Sequence, residues 1–368
     1  MFGWAWVFII LLGTQIHDVI SNAKRTIQCK KKNQNTTKIK VALIYKKSYN
    51  YFQPNHFDQT SYDFFFKALK RNKQLEISHH PCEKKFDVSK IKGKCDIILL
   101  PNNRIVDYGD GTTDAAPDAL IGIKNSNIPV ISRTGDPHDA KKYNQVEFCE
   151  KNKIDYLFSS HPHSLIYKYY PKNIKHKIII YGLEPKLYQN VPPFKTRIKN
   201  RILITGKMGR TDLRNRAANY ILNPGRSGWY HYKLRTLCKK LDYVEYTGIE
   251  GKKYLTEDYP TYTSKYRAII AATTFYPTLK YWENAAAGCL TFMEITKKND
   301  GYFLGYKDNE TAIFINEKNY KEKFQQYIDD PDNPKWEQIA NAGREYTMNN
   351  LINEQALISL VELMKEII

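Results

Sequence analysis

The stretch Tyr188–Asn200, YQNVPPFKTRIKN, interrupts a regular alternation of apolar runs and amphipathic segments and divides the chain in two. Its Pro192-Pro193 pair and mixed polar composition mark a linker. Before it, the expected strands are Ile39–Tyr45 (IKVALIY), Leu75–His79, Asp96–Leu100 (DIILL), Ile128–Ser132 (IPVIS), Asp155–Ser159 and Lys177–Tyr181. The expected helices between them are Tyr62–Lys70, Asp118–Asn125, Asp139–Glu150 and Ser164–Tyr170. After it the alternation restarts, with strands at Arg201–Thr205, Val244–Tyr246, Ala268–Ala272 and Leu290–Met293 and another around Phe314. Helices are expected at Leu213–Ile221, His231–Leu241, Thr278–Ala287, Tyr320–Tyr327, Lys335–Asn350 and Glu354–Ile367. Continuous Val/Ile/Leu strands alternating with helices indicate parallel sheets covered on both faces. The expected fold class is therefore α/β, with two Rossmann-like parallel-sheet lobes facing a central cleft.

The expected organisation is an apolar and basic tail over 1–34, a first lobe over 35–190, a second over 200–345, and a terminal helix over 346–368 that packs back on the first lobe. A chain of 368 residues is longer than one core usually serves. No window of 18 uncharged apolar residues occurs, which excludes an integral membrane bundle. The six cysteines are scattered without zinc spacing, so neither a disulfide scaffold nor a structural zinc site is expected.

Met1–Gly13 (MFGWAWVFIILLG) is apolar but short of a bilayer span; a shallow membrane anchor, a signal peptide and a buried start all fit it. From Ser21 to Asn50 there are nine Lys/Arg and no acidic residue, a collar suited to an anionic membrane surface. The expected placement is cytoplasmic, with peripheral membrane association through the amino-terminal segment. The net charge of +19 invites a nucleic-acid partner, but no reading motif accompanies it and none is expected. Asn35-Thr36-Thr37 matches a glycosylation sequon.

The most informative segment for function is Thr278–Glu294, TLKYWENAAAGCLTFME. Glu283 falls on an expected helix, followed by the small residues Ala285–Ala287 and by Gly288, which ends it. A carboxylate there can accept two hydrogen bonds from a vicinal diol while the small residues admit a ligand to the backbone. A solvated Glu on a helix with a glycine cap reads equally from the residues.

This segment resembles the carboxyl-terminal-lobe motif of GT-B glycosyltransferases, the family-4-like and CgeB-like branch, with Lys280, Glu283, Ala287 and Gly288 in register. The resemblance implies that Glu283 binds the ribose of a nucleotide-sugar donor, with Lys280 and Gly288 in the donor site. Ile202–Arg216 (ILITGKMGRTDLRNR) is similar to the family's strand–glycine–basic opening, which implies that Gly206, Lys207, Arg210 and Arg214 face the donor diphosphate. Lys177–Tyr188 (KIIIYGLEPKLY) resembles its interlobe strand, and Asp329–Arg344 (DDPDNPKWEQIANAGR) its closing helix ending Ala-Gly-Arg. Arg133–Asp139 (RTGDPHD) resembles the place of a His-Asp pair facing the donor sugar. Thus His138 joins Lys207 and Arg210 as a catalytic candidate, and Asp136 and Asp139 lie on the acceptor side.

One departure stands out. Many family-4 enzymes carry another Glu eight residues before the first, and here that position is Phe275. The resemblance implies a glycosyltransferase acting on a glycan, lipid-linked or protein acceptor, retaining and metal-independent, with no cofactor beyond the nucleotide-sugar co-substrate. The alternative is a non-catalytic two-lobed nucleotide-sugar or sugar binder. Asp330-Pro331-Asp332 matches a metal-binding DxD formally but lies away from any expected strand end, so no metal is expected there. His161 and His163 follow a strand without an assignable role. Asp107–Asp114 (DYGDGTTD) is expected to border the acceptor site.

Overall fold

In the computed structural model, the described residues are 38–47, 64–103, 116–209, 211–222, 228–247 and 258–368. The expectations for the apolar start, the sequon, most of the basic collar, Asp107–Asp114 and Arg210 fall outside them.

Two parallel sheets organise the chain. The first has the order β2-β1-β4-β6-β7-β8, from β1 (Ile39–Lys46), β2 (Leu75–Cys82), β4 (Ile97–Leu100), β6 (Val130–Arg133), β7 (Tyr156–Ser159) and β8 (Lys175–Ile178). Its central pairings are parallel, for example Ile98 opposite Val130 and Leu99 opposite Ile131. The four residues of β4 are fully buried, as expected of a strand covered on both faces. Between them, β3 (Lys85–Asp87) and β5 (Ala119–Ile121) form a separate two-stranded parallel pair.

The second sheet is wholly parallel, in the order β10-β9-β11-β12-β13. It comprises β9 (Ile198–Thr205), β10 (Val244–Thr247), β11 (Tyr266–Ala271), β12 (Leu290–Glu294) and β13 (Ile313–Ile315). Side chains alternate between two cores: Ile202, Ile204, Ile270 and Phe292 enter one, Leu203, Ile269 and Met293 the other. The chain winds one way from β9 to β10 and the other from β11 onward, so a crevice opens beyond the carboxyl ends of β9 and β11, where such sheets bind ligands.

Several expected elements are corrected. Asp118–Asn125 is not a helix: Ala119–Ile121 pairs with Lys85–Asp87, and only Ile123–Asn125 makes a 3-10 turn. Long-range pairing outweighs local pattern there. The helix expected over Asp139–Glu150 begins at Gln145, because Asn144 takes a left-handed conformation. The helix expected over Ser164–Tyr170 is the single turn His163–Ile166, and the one over His231–Leu241 splits at Tyr232 into Gly228–His231 and Lys233–Cys238. The linker contributes to the core at its end, with Phe194 and Arg197 both buried.

The terminal helix Asn353–Ile367 is tied to the interlobe segment by two hydrogen bonds of Asn353, one through its backbone and one through its side chain. Asn353 N donates to the Leu183 carbonyl (2.9 Å), and Gly182 N donates to Asn353 Oδ1 (2.8 Å). Arg71 of the first lobe bridges Glu184 and Glu354, each at 2.8 Å. No helix among the described residues is long and apolar enough to cross a membrane.

Candidate functional site

The chain leaves β9 through Thr205-Gly206, and Gly206 sits at φ +96°. A Cβ there would lie 2.9 Å from Lys280 Cε and 3.2 Å from Arg235 Nη1. The positive φ favours glycine, and any Cβ would have to push the Lys280 tip aside. Two cationic side chains thus converge on one backbone turn at the crevice.

Arg235 comes from the helix Lys233–Cys238 and is 3% exposed. Its Nε donates to the Ala272 carbonyl (2.9 Å) and its Nη1 to the Lys207 carbonyl (3.1 Å), which clamps the loops after β11 and β9 together. Lys280 opens the helix Lys280–Ala286, and its Nζ donates to Thr205 Oγ1 (2.9 Å) and Tyr259 Oη (3.4 Å). Burial pulls the Lys280 ammonium down to about 8, against the pull of Glu283; Arg235 lowers it further. Two desolvated cations beside each other are costly unless an anion joins them.

The loop between β11 and the Lys280 helix supplies unused donors. The Thr274 and Thr278 hydroxyls are shielded from water and have no hydrogen-bond partner among the described residues. Such orphaned groups call for a ligand or water.

Glu283 lies one turn beyond Lys280 on the same helix, partly exposed. Its charge raises the buried Tyr188 phenol, whose shift is set first by burial. Lys280, Glu283 and Gly206 are thus brought together. Gly288 is not: it closes the opposite end of the helix, about 12 Å along the axis. There Arg197 caps the helix through the Ala287 (3.0 Å) and Gly288 (2.7 Å) carbonyls. The Lys207 and Arg214 side chains are exposed, and the Lys207 carbonyl accepts from Arg235 Nη1.

From the first lobe, β6 delivers the loop with Asp136, His138 and Asp139 to the second. The His138 ring lies 5.4 Å from that of His231, and Asp136 Oδ1 accepts from Tyr276 Oη at 3.4 Å. Burial, reinforced by Asp136, holds the Tyr276 phenol well above its ordinary range. Asp136, His138 and Asp139 offer ligand atoms within 4.8 Å of one another, the one such group among the described residues. His161 packs edge-on against Tyr276 (4.7 Å), and His163 Nδ1 shares a hydrogen bond with His176 Nδ1 (3.0 Å). Phe275 packs on Tyr230 (4.8 Å) and His231 (4.7 Å), so aromatic rings stand where a second carboxylate was sought.

Asp332 is held by Lys199 and by Arg267 (2.9 Å), in the turn that starts the helix Pro334–Asn350.

Sequence reasoning missed Arg235, His231 and Tyr276. Arg235 had a signal, being a cation beside Leu234 and Cys238 on an otherwise apolar helical stripe, four residues after His231. Glu294 was also passed over; burial pushes its carboxyl up to about 7, with Glu317 adding and Arg235 opposing.

No protein-family model matches the chain, and no curated protein does. Solved structures do. Sucrose-phosphate synthase of Thermosynechococcus elongatus is similar at 11% identity, covering 89% of this chain and 99% of that one, with a TM-score of 0.55. The Anabaena HepE protein in complex with UDP is similar at 10% identity, over 89% and 100%, with a TM-score of 0.54. A glycosyltransferase of Rickettsia africae is similar at 12% identity, over 90% and 98%, with a TM-score of 0.53. The fold is the two-lobed GT-B architecture. At these identities the likeness is one of fold.

Proposed function

We propose that the protein is a glycosyltransferase that takes a sugar from a nucleotide-sugar donor. The observation that carries this reading is the convergence of buried Arg235 and half-buried Lys280 on Gly206 at the switch point of the second sheet. The donor diphosphate lies between these cations, taking further hydrogen bonds from Thr274 and Thr278. As the bond from the anomeric carbon to the diphosphate oxygen breaks, charge gathers on the leaving group, where fixed cations stabilise it most. Glu283 accepts hydrogen bonds from the ribose hydroxyls, and the Asp136–Asp139 loop orients the acceptor. The resemblance supports retention of configuration and membership of the family-4-like or CgeB-like branch.

The same loop could ligate a metal, but Asp136 already accepts from Tyr276 and His138 packs on His231, which favours positioning over ligation. Transfer unchanged by a chelator is the expected result. The acceptor is a glycan, lipid-linked or protein hydroxyl, and the basic collar fits an anionic membrane surface.

A thermal-shift panel of UDP-, GDP-, ADP- and CMP-sugars tests the reading, since a fitting donor at a hundred times its Kd adds about 2.7 kcal/mol of stability. No shift with any nucleotide sugar would refute it. Binding without transfer or donor hydrolysis would favour the non-catalytic binder, a reading to which Phe275 lends weight.

Two further outcomes are expected. Glu283→Gln should weaken donor binding by about 1.5–3 kcal/mol while barely affecting the 2′,3′-dideoxy donor, so that the ribose preference collapses in paired titrations. Donor affinity should also fall as pH rises above 8. The free enzyme loses the Lys280 proton near there, whereas a bound diphosphate keeps it on, so binding takes up a proton in that window. The limiting slope is about tenfold per pH unit, and Lys280→Arg should abolish it. A flat profile in the parent protein between pH 7.5 and 9.5 would remove Lys280 from the diphosphate site.

A further inference from the structure

The helix Leu213–Leu222 (LRNRAANYIL) is turned inside out relative to an ordinary surface helix. At 3.6 residues per turn, Leu213, Ala217, Tyr220 and Ile221 form one stripe about 100° wide. That stripe faces solvent: Leu213 is 78% exposed, Tyr220 59% and Ile221 77%, with Ala217 exposed between them. The half-buried positions are polar, Arg216 and Asn219, and the Arg216 guanidinium lies 3.7 Å over the Trp229 ring.

Charge decides what covers the stripe. The helix carries no acidic residue, and exposed Arg214 borders the apolar arc on one side, while Arg216 on the other is engaged with Trp229. A ten-residue helix is about 15 Å long, so one face offers at most a few hundred Å², well short of the ~800 Å² per partner that a stable protein interface buries. A lipid surface has no such requirement. Apolar side chains enter the acyl boundary, Arg214 meets anionic headgroups, and tyrosine favours the interface between them.

We infer that the outward stripe of helix Leu213–Leu222 docks on an anionic membrane surface. This contact lies in the second lobe, just after the Gly206 loop, and is separate from any contact made by the basic collar. It stands whether or not the crevice binds a nucleotide sugar.

Amide hydrogen exchange of the full chain, with vesicles of equal parts phosphatidylglycerol and phosphatidylcholine, reads the contact locally. Amides of 213–222 should exchange at least about tenfold more slowly with these vesicles and unchanged with pure phosphatidylcholine. Leu213→Ser with Ile221→Ser should erase the protection. Ile221→Trp should raise vesicle partition several-fold, a gain that misfolding cannot mimic. Unchanged exchange over 213–222 while the protein co-sediments with vesicles would overturn the inference. So would equal protection by neutral vesicles, or protection that grows with protein concentration in their absence.

Discussion

Lys280→Met should weaken nucleotide-sugar binding by roughly 100- to 1,000-fold, yet leave the thermal midpoint of the unliganded protein at or above that of the parent. The binding loss follows from removing one of two cations that face the diphosphate in a water-poor crevice, where a charge-assisted contact is worth about 2.7–4 kcal/mol. The stability gain follows from the same burial. Burial disfavours the ammonium, Glu283 offsets this in part and Arg235 adds to it, so on balance the charge costs stability in the unliganded protein. Its two hydrogen-bond acceptors are not stranded by the change, because Thr205 Oγ1 and Tyr259 Oη also bond each other at 3.1 Å. Calorimetric titration with the best donor, beside a denaturation scan without it, checks both signs. A fall in midpoint together with unchanged affinity would mean that Lys280 is a structural cation.

The largest stability loss is expected for Gly343→Ala. Gly343 lies inside the helix Pro334–Asn350, where alanine is normally the better residue by about 1 kcal/mol. Here a Cβ would stand 2.3 Å from the Thr311 carbonyl oxygen, a backbone atom that cannot step aside. The helix must therefore withdraw from the strand layer, opening the core around Trp336, Ile339 and Ala340. A loss of about 3 kcal/mol or more is expected, read as a lower urea midpoint with the slope unchanged. A secondary effect on the donor site should follow. Arg344, the next residue, donates to the Ala286 (3.0 Å) and Tyr188 (2.6 Å) carbonyls, and so holds the Glu283-bearing helix in place. A midpoint equal to the parent's would show that the close approach is not maintained in solution.

That pair gives Ala-Gly-Arg a packing role: the glycine permits close contact and the arginine uses it. Gly288 is read differently once folded. It meets Arg197 and Arg344 at the carboxyl end of the Lys280 helix.

The sequence by itself determined the α/β class, most strands of both sheets, and the shared helix that carries Lys280 and Glu283 one turn apart. These are local properties, because strand runs, helix spacing and a three-residue offset on one helix survive any tertiary arrangement. Only the tertiary structure decided which cations meet Gly206. Lys207 and Arg214 are near it in sequence and have exposed side chains, whereas Arg235 is 29 positions away and reaches it because its helix packs against the end of β11. Sequence proximity fixes distance along the chain, but which side chains share a crevice depends on strand order, and order is set by burial summed over the whole sheet.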